Sequence, residues 1–324
     1  MTLTVGEAAI TALGAATPVG ANVAVTLASI RAGIVRFAEH PWLLANDEPI
    51  VAARFAPLDD KAPFASRLSA MLSLAVSEAL LTLPEPGALL AALPRDQSQL
   101  LAPHLRGLAP TRVLQPVEGE HSAGARALQT ALGVLKAQPK SSLMVACADS
   151  WLERAGISFL RQQERLKTPD NSYGLIPGEA AVAIGLMTPT QARAERRNAL
   201  ATIVAVSVEK DPPLAEDEVP TGRGLTTAIE KVLGSLPKEA KIERWHCDMT
   251  GERWRGNDVC FTVARLARRF KRIESYDTHT ASVGDVGAAS AFLGTACLTS
   301  RLEHGYGLVV ACDPGVHTAI LIRK

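Results

Sequence analysis

Aromatic residues are scarce. Phe, Trp and Tyr together make 4% of the chain, against 47% hydrophobic residues overall. A core poor in rings and rich in alanine packs by close approach of helix to sheet and helix to helix, not by filling space with bulky side chains. Surplus charge is missing as well: 34 Lys and Arg stand against 33 Asp and Glu, a net charge of +1. That balance argues against a whole-molecule nucleic-acid binder. No uncharged apolar run approaches the ~20 residues of a membrane span, so no membrane association is expected. The opening stretch, MTLTVGEAAITALGAATPVG, has no positively charged leader and carries Glu7 early, which makes it a poor signal peptide. Cysteine is sparse and odd in number, at Cys147, Cys247, Cys260, Cys297 and Cys312, with no C-x-x-C. Most lie in apolar runs such as LMVACADS and GLVVACDP. Buried free thiols in a reducing, cytoplasmic compartment follow. No H-x-x-x-H spacing favours a metal, and Gly14, Gly20 and Gly33 read as turn glycines, not a dinucleotide or phosphate loop. Neither a metal nor a cofactor is expected.

What is present is a repeated alternation. The 324 residues suggest two domains or two halves of one, at roughly 100–200 residues per domain. Residues 7–14 read as a strand, ATPVG as a turn, and a helix follows to about Ile30. Residues 34–65 read as irregular. In 66–83, Leu68, Leu72, Val76 and Leu80 lie four apart, one stripe of a helix. Residues 84–117, rich in Pro and Leu, give no clear pattern. SSLMVACADS is a buried-strand type, and GLIPGEAAVAIGLMT a turn followed by a strand. A second cycle starts near residue 200 with the strand LATIVAVSVEKD and the helix GRGLTTAIEKVLGSL. IERWHCDM, NDVCFTVARLARRFKRI, GAASAFLGTACLTSRL, YGLVVACDP and HTAILIRK then read as strand, helix, helix and two strands. Two such cycles imply a layered α/β architecture with a division near 189–199, hence halves 1–190 and 191–324.

One segment has the form of a nucleophile carrier. In EGEHSAGARALQTALGVL, a tight turn leads into an apolar-faced helix, yet His121 and Ser122 stand at the turn. Taken in order, AAITALGAATPVGANVAVTLASIRAGI, MVACADSWLE, YGLIPGEAAVAIGL, SVGDVGAASA and LEHGYGLVVACDPGVHTAILIRK resemble the thiolase-like superfamily. Within it they resemble the β-ketoacyl synthases, over nearly the whole chain. The resemblance implies a layered αβαβα fold of two related halves with mixed β-sheets, and a homodimer. It also implies a nucleophilic Cys at the start of the buried helix of the first half, where orphan N–H groups and the helix end lower a thiol's pKa. Two His from the second half complete the family's site.

Carried over residue by residue, the Cys position falls on His121, with Ser122 next. The first His falls on His246 in WHCDMTGERWRGND, where Thr250 also matches but Cys247 and Asp248 replace a glycine and a threonine. The second His falls on Asp285, and a nearby Lys on Thr280. The loop that shapes the acyl pocket reads CDPGVH, with Asp313 and Pro314. An imidazole cannot form the condensing thioester, and a carboxylate at 285 repels a developing oxyanion. The first reading is therefore a non-catalytic binding or adaptor protein, of a reduced kind whose relatives look like accessory factors in bacterial secretion clusters. The alternative is an acyltransferase or acyl-ester hydrolase using Ser122 or His121 with His246 and Asp285. The bland reading of the same residues is that His246 and Asp285 satisfy each other in a buried loop.

Two further features stand apart. Arg265, Arg268, Arg269 and Arg272 fall on one face of a helix opposite its apolar stripe, as a docking face for an acidic carrier protein or as a merely solvated face. Trp254, between Arg253 and Arg255 on what reads as a loop, is either a partner contact or packing against the preceding strand. Glu179 matches the family's strand Glu and reads as structural.

Overall fold

The structure is a computed structural model that describes residues 2–45, 48–59, 62–108, 112–212 and 221–324. Among these the elements run β1 (Thr2–Ala16), α1 (Val23–Arg31), β2 (Phe37–Ala45), β3 (Glu48–Ala53), α2 (Phe64–Leu80), β4 (Ala88–Leu93), α3 (Ser98–Leu108), β5 (Arg112–Val113), β6 (Val117–Glu118), α4 (His121–Ala137), β7 (Ser142–Ser150), α5 (Arg154–Gln162) and β8 (Glu179–Met187). They continue with α6 (Pro189–Ala194), β9 (Ala201–Lys210), α7 (Arg223–Leu233), β10 (Ile242–Cys247), α8 (Arg253–Leu266), β11 (Tyr276–Asp277), α9 (Thr280–Val283), α10 (Ser290–Arg301), β12 (Tyr306–Asp313) and β13 (Val316–Arg323).

An eleven-stranded mixed sheet runs β11-β10-β12-β13-β9-β1-β8-β7-β4-β5, with β6 also paired to β4. Its middle strand, β1, serves two neighbours because it is long. Ala9–Ala16 pair with β8, and the earlier residues pair with β9, both antiparallel. Strand alternation then sorts the side chains. On β7, Leu143, Val145 and Cys147 join the core that contains α4, while Met144, Ala146 and Ala148 join the core that contains α2. On the other flank, Ile320 and Ile322 of β13 face the α4 and α10 core, and Ala319 and Leu321 face α7. The layers therefore run helix, sheet, helix, sheet, helix: α2 outside one flank, α4 and α10 between the flanks, α7 and α8 outside the other. This is the α/β layering that the resemblance implies.

The middle layer is tight. A Cβ at Gly124 of α4 would lie 3.0 Å from the Ala288 carbonyl and from the Phe292 ring, so any larger residue would push α4 and the start of α10 apart by a few tenths of an ångström. Glu179, fully buried at the start of β8, accepts from Phe55 N at 2.7 Å and from Ser150 Oγ at 2.9 Å, and is paired with Arg67. It ties the β3 exit, α2 and the end of β7 together.

Three stretches differ from the sequence reading. Residues 37–53 hold the paired strands β2 and β3 within the stretch read as irregular. Residues 84–117 hold the fully buried β4 as well as α3, which carries Pro103 in its interior. Finally, the helix carrying the basic stripe ends at Leu266, and a single 3-10 turn (Ala267–Arg269) follows.

Candidate functional site

The site is built at the start of α4, where the first backbone N–H groups of a helix lack intrahelical acceptors. No side chain of the preceding Glu120 caps them. Asp313, delivered from across the middle layer by the end of β12, does so instead. Its Oδ1 accepts from His121 N at 2.7 Å and its Oδ2 from Ser122 N at 3.1 Å. The first two backbone N–H groups of α4 are thus occupied by this chain's own carboxylate.

His121 is fully buried between two aspartates. Its Nδ1 lies 3.0 Å from Asp313 Oδ1, and its Nε2 lies 2.9 Å from both oxygens of Asp285. A neutral imidazole has one N–H and cannot satisfy acceptors on both sides; the imidazolium can. Burial by itself lowers the His121 pKa. The Asp285 charge, opposed by Arg255, and the bonds to Asp285 and Asp313 outweigh it and raise it to about 10.

Asp285 is the hub. It also accepts from Trp151 Nε1 at 2.8 Å, Gly287 N at 3.0 Å and Arg255 Nη2 at 3.0 Å. Burial would raise its pKa, but the His121 and Arg255 charges hold it well below the usual carboxylate range. Asp313 is treated alike: burial is outweighed by its bonds to His121 and Ser122, which bring it to about 2. Arg255, on the first turn of α8, is buried among Asp285, Asp248 at 2.7 Å and Glu252 at 3.1 Å. Burial would make its proton easier to lose; the three carboxylates more than reverse this. Glu252 in turn accepts from Arg165 Nε at 2.7 Å. Asp149 stands at the edge of this network, its oxygens on Ser150 N and Ala288 N at 2.7 Å each. Burial raises it to about 7 despite those bonds. Gly287 makes room for it: with φ +50, a Cβ there would fall 2.1 Å from Asp149 Oδ2.

The expected residues separate into two groups. His121, Ser122 and Asp285 come together; His246 does not join them. Its Nε2 is 2.9 Å from Nδ1 of His279, with the two rings stacked 5.2 Å apart. Among the described residues, His246 Nδ1 and His279 Nε2 have no partner. Burial pushes His246 down to about 4 and His279 well below the ordinary value, so the pair is neutral. A relay of Ser122, His246 and Asp285 is therefore not assembled, because His246 spends its Nε2 on His279 and Asp285 spends its oxygens on His121, Trp151, Arg255 and Gly287. The bland reading in which His246 and Asp285 satisfy each other fails for the same reason.

Several contributors carry no sequence signal for this role, among them Trp151, Glu252, Arg165 and Asp149, and three others are instructive. Arg255 was read as a loop neighbour of Trp254, although its i,i+3 spacing from Glu252 is a helix-start pair visible in the sequence. His279 gave no signal beyond its place after a short strand. Asp313 stood out as unusual, but its reach to α4 depends on the fold.

A cavity of about 610 Å³ opens beside the start of α4. Ser122, Arg126 and Asp313 form part of its wall, with Phe159 and Pro314 as apolar elements; His121 does not reach it. Glu120, His121 and Asp313 place one possible ligand atom each within 4.8 Å of one another. These donors do not fit a metal ion. His121 directs N–H groups at the carboxylates, Arg165 stands 3.7 Å from Glu120, and the Arg255 guanidinium is 3.1 Å from the imidazole.

The basic stripe is also divided. Arg265 Nη1 donates to the Thr221 carbonyl at 2.6 Å and Arg269 Nη2 to the Leu233 carbonyl at 3.2 Å. Arg268 and Arg272 remain exposed, but the four do not share one helix face because α8 ends before three of them. Trp254 is partly buried against the α7–α8 core. Arg253 stacks over Tyr173 at 3.9 Å, while Arg255 turns inward.

No family model matches the chain, and no curated protein matches it in sequence. Solved structures do match. The ketosynthase from module 6 of the bacillaene synthase from Bacillus subtilis is 13% identical, with a TM-score of 0.77 over 98% of this chain and 72% of that one. A type II PKS acyl-carrier protein in complex with its ketosynthase, bound to the hexaketide, matches at 11% identity and a TM-score of 0.81 over 99% of both chains. The ishigamide ketosynthase/chain length factor matches at 19% identity and a TM-score of 0.72, over 98% of this chain and 99% of that one. The chain has the thiolase-like ketosynthase fold.

Proposed function

We propose that the protein is a ketosynthase-like binding or adaptor protein without condensing activity. One observation carries this reading: the residue that falls on the nucleophile position, His121, is fully buried with Nδ1 3.0 Å from Asp313 and Nε2 2.9 Å from Asp285, so that both ring nitrogens are engaged. A ring with both nitrogens engaged is neither a nucleophile nor a base. The backbone N–H groups that would stabilise an oxyanion are taken by Asp313. Ser122 Oγ has no imidazole partner among the described residues, which weighs against the acyl-transfer or hydrolysis reading.

The partner in this reading is an acidic carrier-type protein. One structural neighbour was solved with its acyl-carrier protein, and the exposed Arg268 and Arg272 offer this chain matching charge. The five free cysteines suit a reducing cytoplasm. A homodimer, which the resemblance implies, belongs to the same proposal and is checked by sedimentation.

The test is turnover of a panel of acyl thioesters and esters by the wild type, Ser122→Ala and His121→Gln. No turnover above background is expected from any of them. Turnover by the wild type that vanishes in either variant overturns the reading.

A further inference from the structure

The cavity beside the start of α4 is bordered by guanidinium groups that the His121 network does not use. Arg165 lies in its wall with 7% of its surface exposed. The guanidinium is held from behind: Nε donates to Glu252 Oε1 at 2.7 Å and Nη2 to Glu252 Oε2 at 3.4 Å. The backbone is fixed as well. Arg165 N donates to the Leu160 carbonyl at 2.8 Å, and the Arg165 carbonyl accepts from Leu175 N at 2.7 Å. Nη1 is left over. The Glu120 carboxylate lies 3.7 Å from it and 3.6 Å from Arg95, and both separations exceed hydrogen-bond reach. Arg126 of α4 borders the same cavity, and no ion pair holds it among the described residues.

The other carboxylates of the wall are engaged or open to water. Asp313 serves His121 and the first N–H groups of α4. Glu118 accepts from Ser98 N at 2.7 Å, at the start of α3. Asp96 is exposed, where solvent and salt screen it. Three guanidiniums thus share one loosely placed carboxylate. The apolar part of the wall is an aromatic platform. Phe159 of α5 is 38% exposed, and its ring stacks on Trp151 with planes 2° apart and centroids at 6.2 Å. Trp151 is pinned in turn by the bond from its Nε1 to Asp285 at 2.8 Å, so the platform rests on the ionic network.

We propose that this cavity is a binding site for an organic carboxylate carried on a flat apolar group, such as an aromatic acid. The carboxylate takes hydrogen bonds from Arg165 Nη1 and Arg126, and the flat group lies along Phe159. Guanidinium geometry matches a carboxylate. Arg165 is already fixed by Glu252, so it loses little freedom when a ligand arrives. Stacking on Phe159 adds an attraction that a small inorganic anion cannot make. A neutral ring, conversely, leaves the guanidiniums without an acceptor. The volume, about 610 Å³, lies in the range of small-molecule sites. Binding of this kind needs no nucleophile and no carrier protein, so the inference goes beyond the adaptor reading and does not depend on it.

The test is a ligand-observed NMR titration of the intact chain at low salt with three probes: 2-naphthoate, 2-naphthalenemethanol and inorganic phosphate. The alcohol keeps the rings without the charge, and phosphate keeps the charge without the rings. Saturable binding of 2-naphthoate is expected, with a Kd on the order of 1 mM or tighter. The other two probes should bind about tenfold more weakly or worse. Arg126→Gln should weaken 2-naphthoate by about tenfold and Phe159→Ala by about fivefold. Both positions are exposed, and an unchanged thermal midpoint checks that each variant keeps the fold. Absence of saturable 2-naphthoate binding overturns the site. So does equal affinity for the alcohol or for phosphate, or an affinity that is unchanged in either variant. The readout needs neither turnover nor a protein partner, so its failure is separate from failure of the functional reading.

Discussion

His121 and His317 are both buried imidazoles between two aspartates, and in both cases one aspartate also caps the start of a helix. Asp313 does so for α4 and Asp211 for α7. The surroundings differ. Around His121 the contacts are 2.9 and 3.0 Å, and Asp285 has three further donors, one of them Arg255. Around His317 on β13 the contacts, to Asp211 and Asp258, are 3.1 and 3.8 Å, and Asp211 is partly open to solvent. A carboxylate with many donors fixes the charge of the ring beside it. A carboxylate with few holds the ring less firmly. The same three-residue arrangement therefore makes a tight clamp in one place and a looser contact in the other.

The largest effect is expected where the clamp is broken at its shared cation. Arg255→Met leaves Asp248, Asp285 and Glu252 buried without their common partner. Removing one member of a buried ionic group costs roughly 3–5 kcal/mol, because the unpaired charges remain. Urea unfolding followed by circular dichroism measures it. A loss under about 1 kcal/mol would mean that the network is solvated and that the contrast with His317 is false.

His121→Gln should cost less, roughly 2–3 kcal/mol, because Asp285 keeps Arg255 and Trp151 and Asp313 keeps two backbone donors. The pH dependence has a definite sign. His121 is raised to about 10, so its stabilisation is complete below its ordinary pKa of ~6.5 and declines as pH rises towards 10. Asp285 and Asp313 are lowered, so theirs is present above ~pH 4 and is lost as pH falls, towards about 2 for Asp313. Asp149 and Asp258, raised to about 7 and about 6, lose their contribution as pH rises to neutrality. The segment between about pH 7 and about pH 8 thus belongs mainly to His121, because the buried thiols of Cys147, Cys247, Cys297 and Cys312, all raised by burial, begin to lower stability above it. Thermal midpoints should fall across it in the wild type and stay level in His121→Gln. Parallel profiles would show that His121 is not the cation inferred from its two carboxylates.

His317→Gln should lower global stability by about 1 kcal/mol or less, since one of its carboxylates is already partly screened by solvent and the other contact is long. A cost matching that of Arg255→Met would make His317 a second clamp and remove the distinction.

Much of this arrangement was legible in the sequence and some was not, for physical reasons. The alternation of strands and helices follows from hydrophobic periodicity; the grouping of His121, Ser122 and Asp285 is implied by the resemblance to the β-ketoacyl synthases alone. β4 was missed because ALLAAL is made of good helix formers, and only burial between β7 and β5 makes it a strand. α3 was missed because Pro103 sits inside it. The rest of the ionic cage could not be read: Glu252 and Arg255 are a local i,i+3 pair, but only tertiary structure brings them and Asp248 to His121, Asp285 and Asp313. The resemblance puts His246 at the family's first His, yet the sequence gives no sign of its partner, His279, and the stack of the two decides what His246 can reach.

The smallest stability effect is expected at the surface, where it sharpens the comparison by separating binding from fold. Arg268 and Arg272 are exposed beyond the end of α8, and no ion pair holds either among the described residues. Reversing both to Glu should change stability by about 0.5 kcal/mol or less, the usual range for surface sites without special partners. Arg265 and Arg269 should be costlier to lose, since each donates to a carbonyl at the α7 ends. If an acidic carrier docks here, the double reversal of Arg268 and Arg272 should weaken its binding at low salt far more than it moves the unfolding midpoint, and added salt should weaken the wild-type complex towards the variant. Binding that is equal in the two proteins at every salt concentration removes this face from the proposal, and leaves the groove beside Ser122 as the surface to probe next.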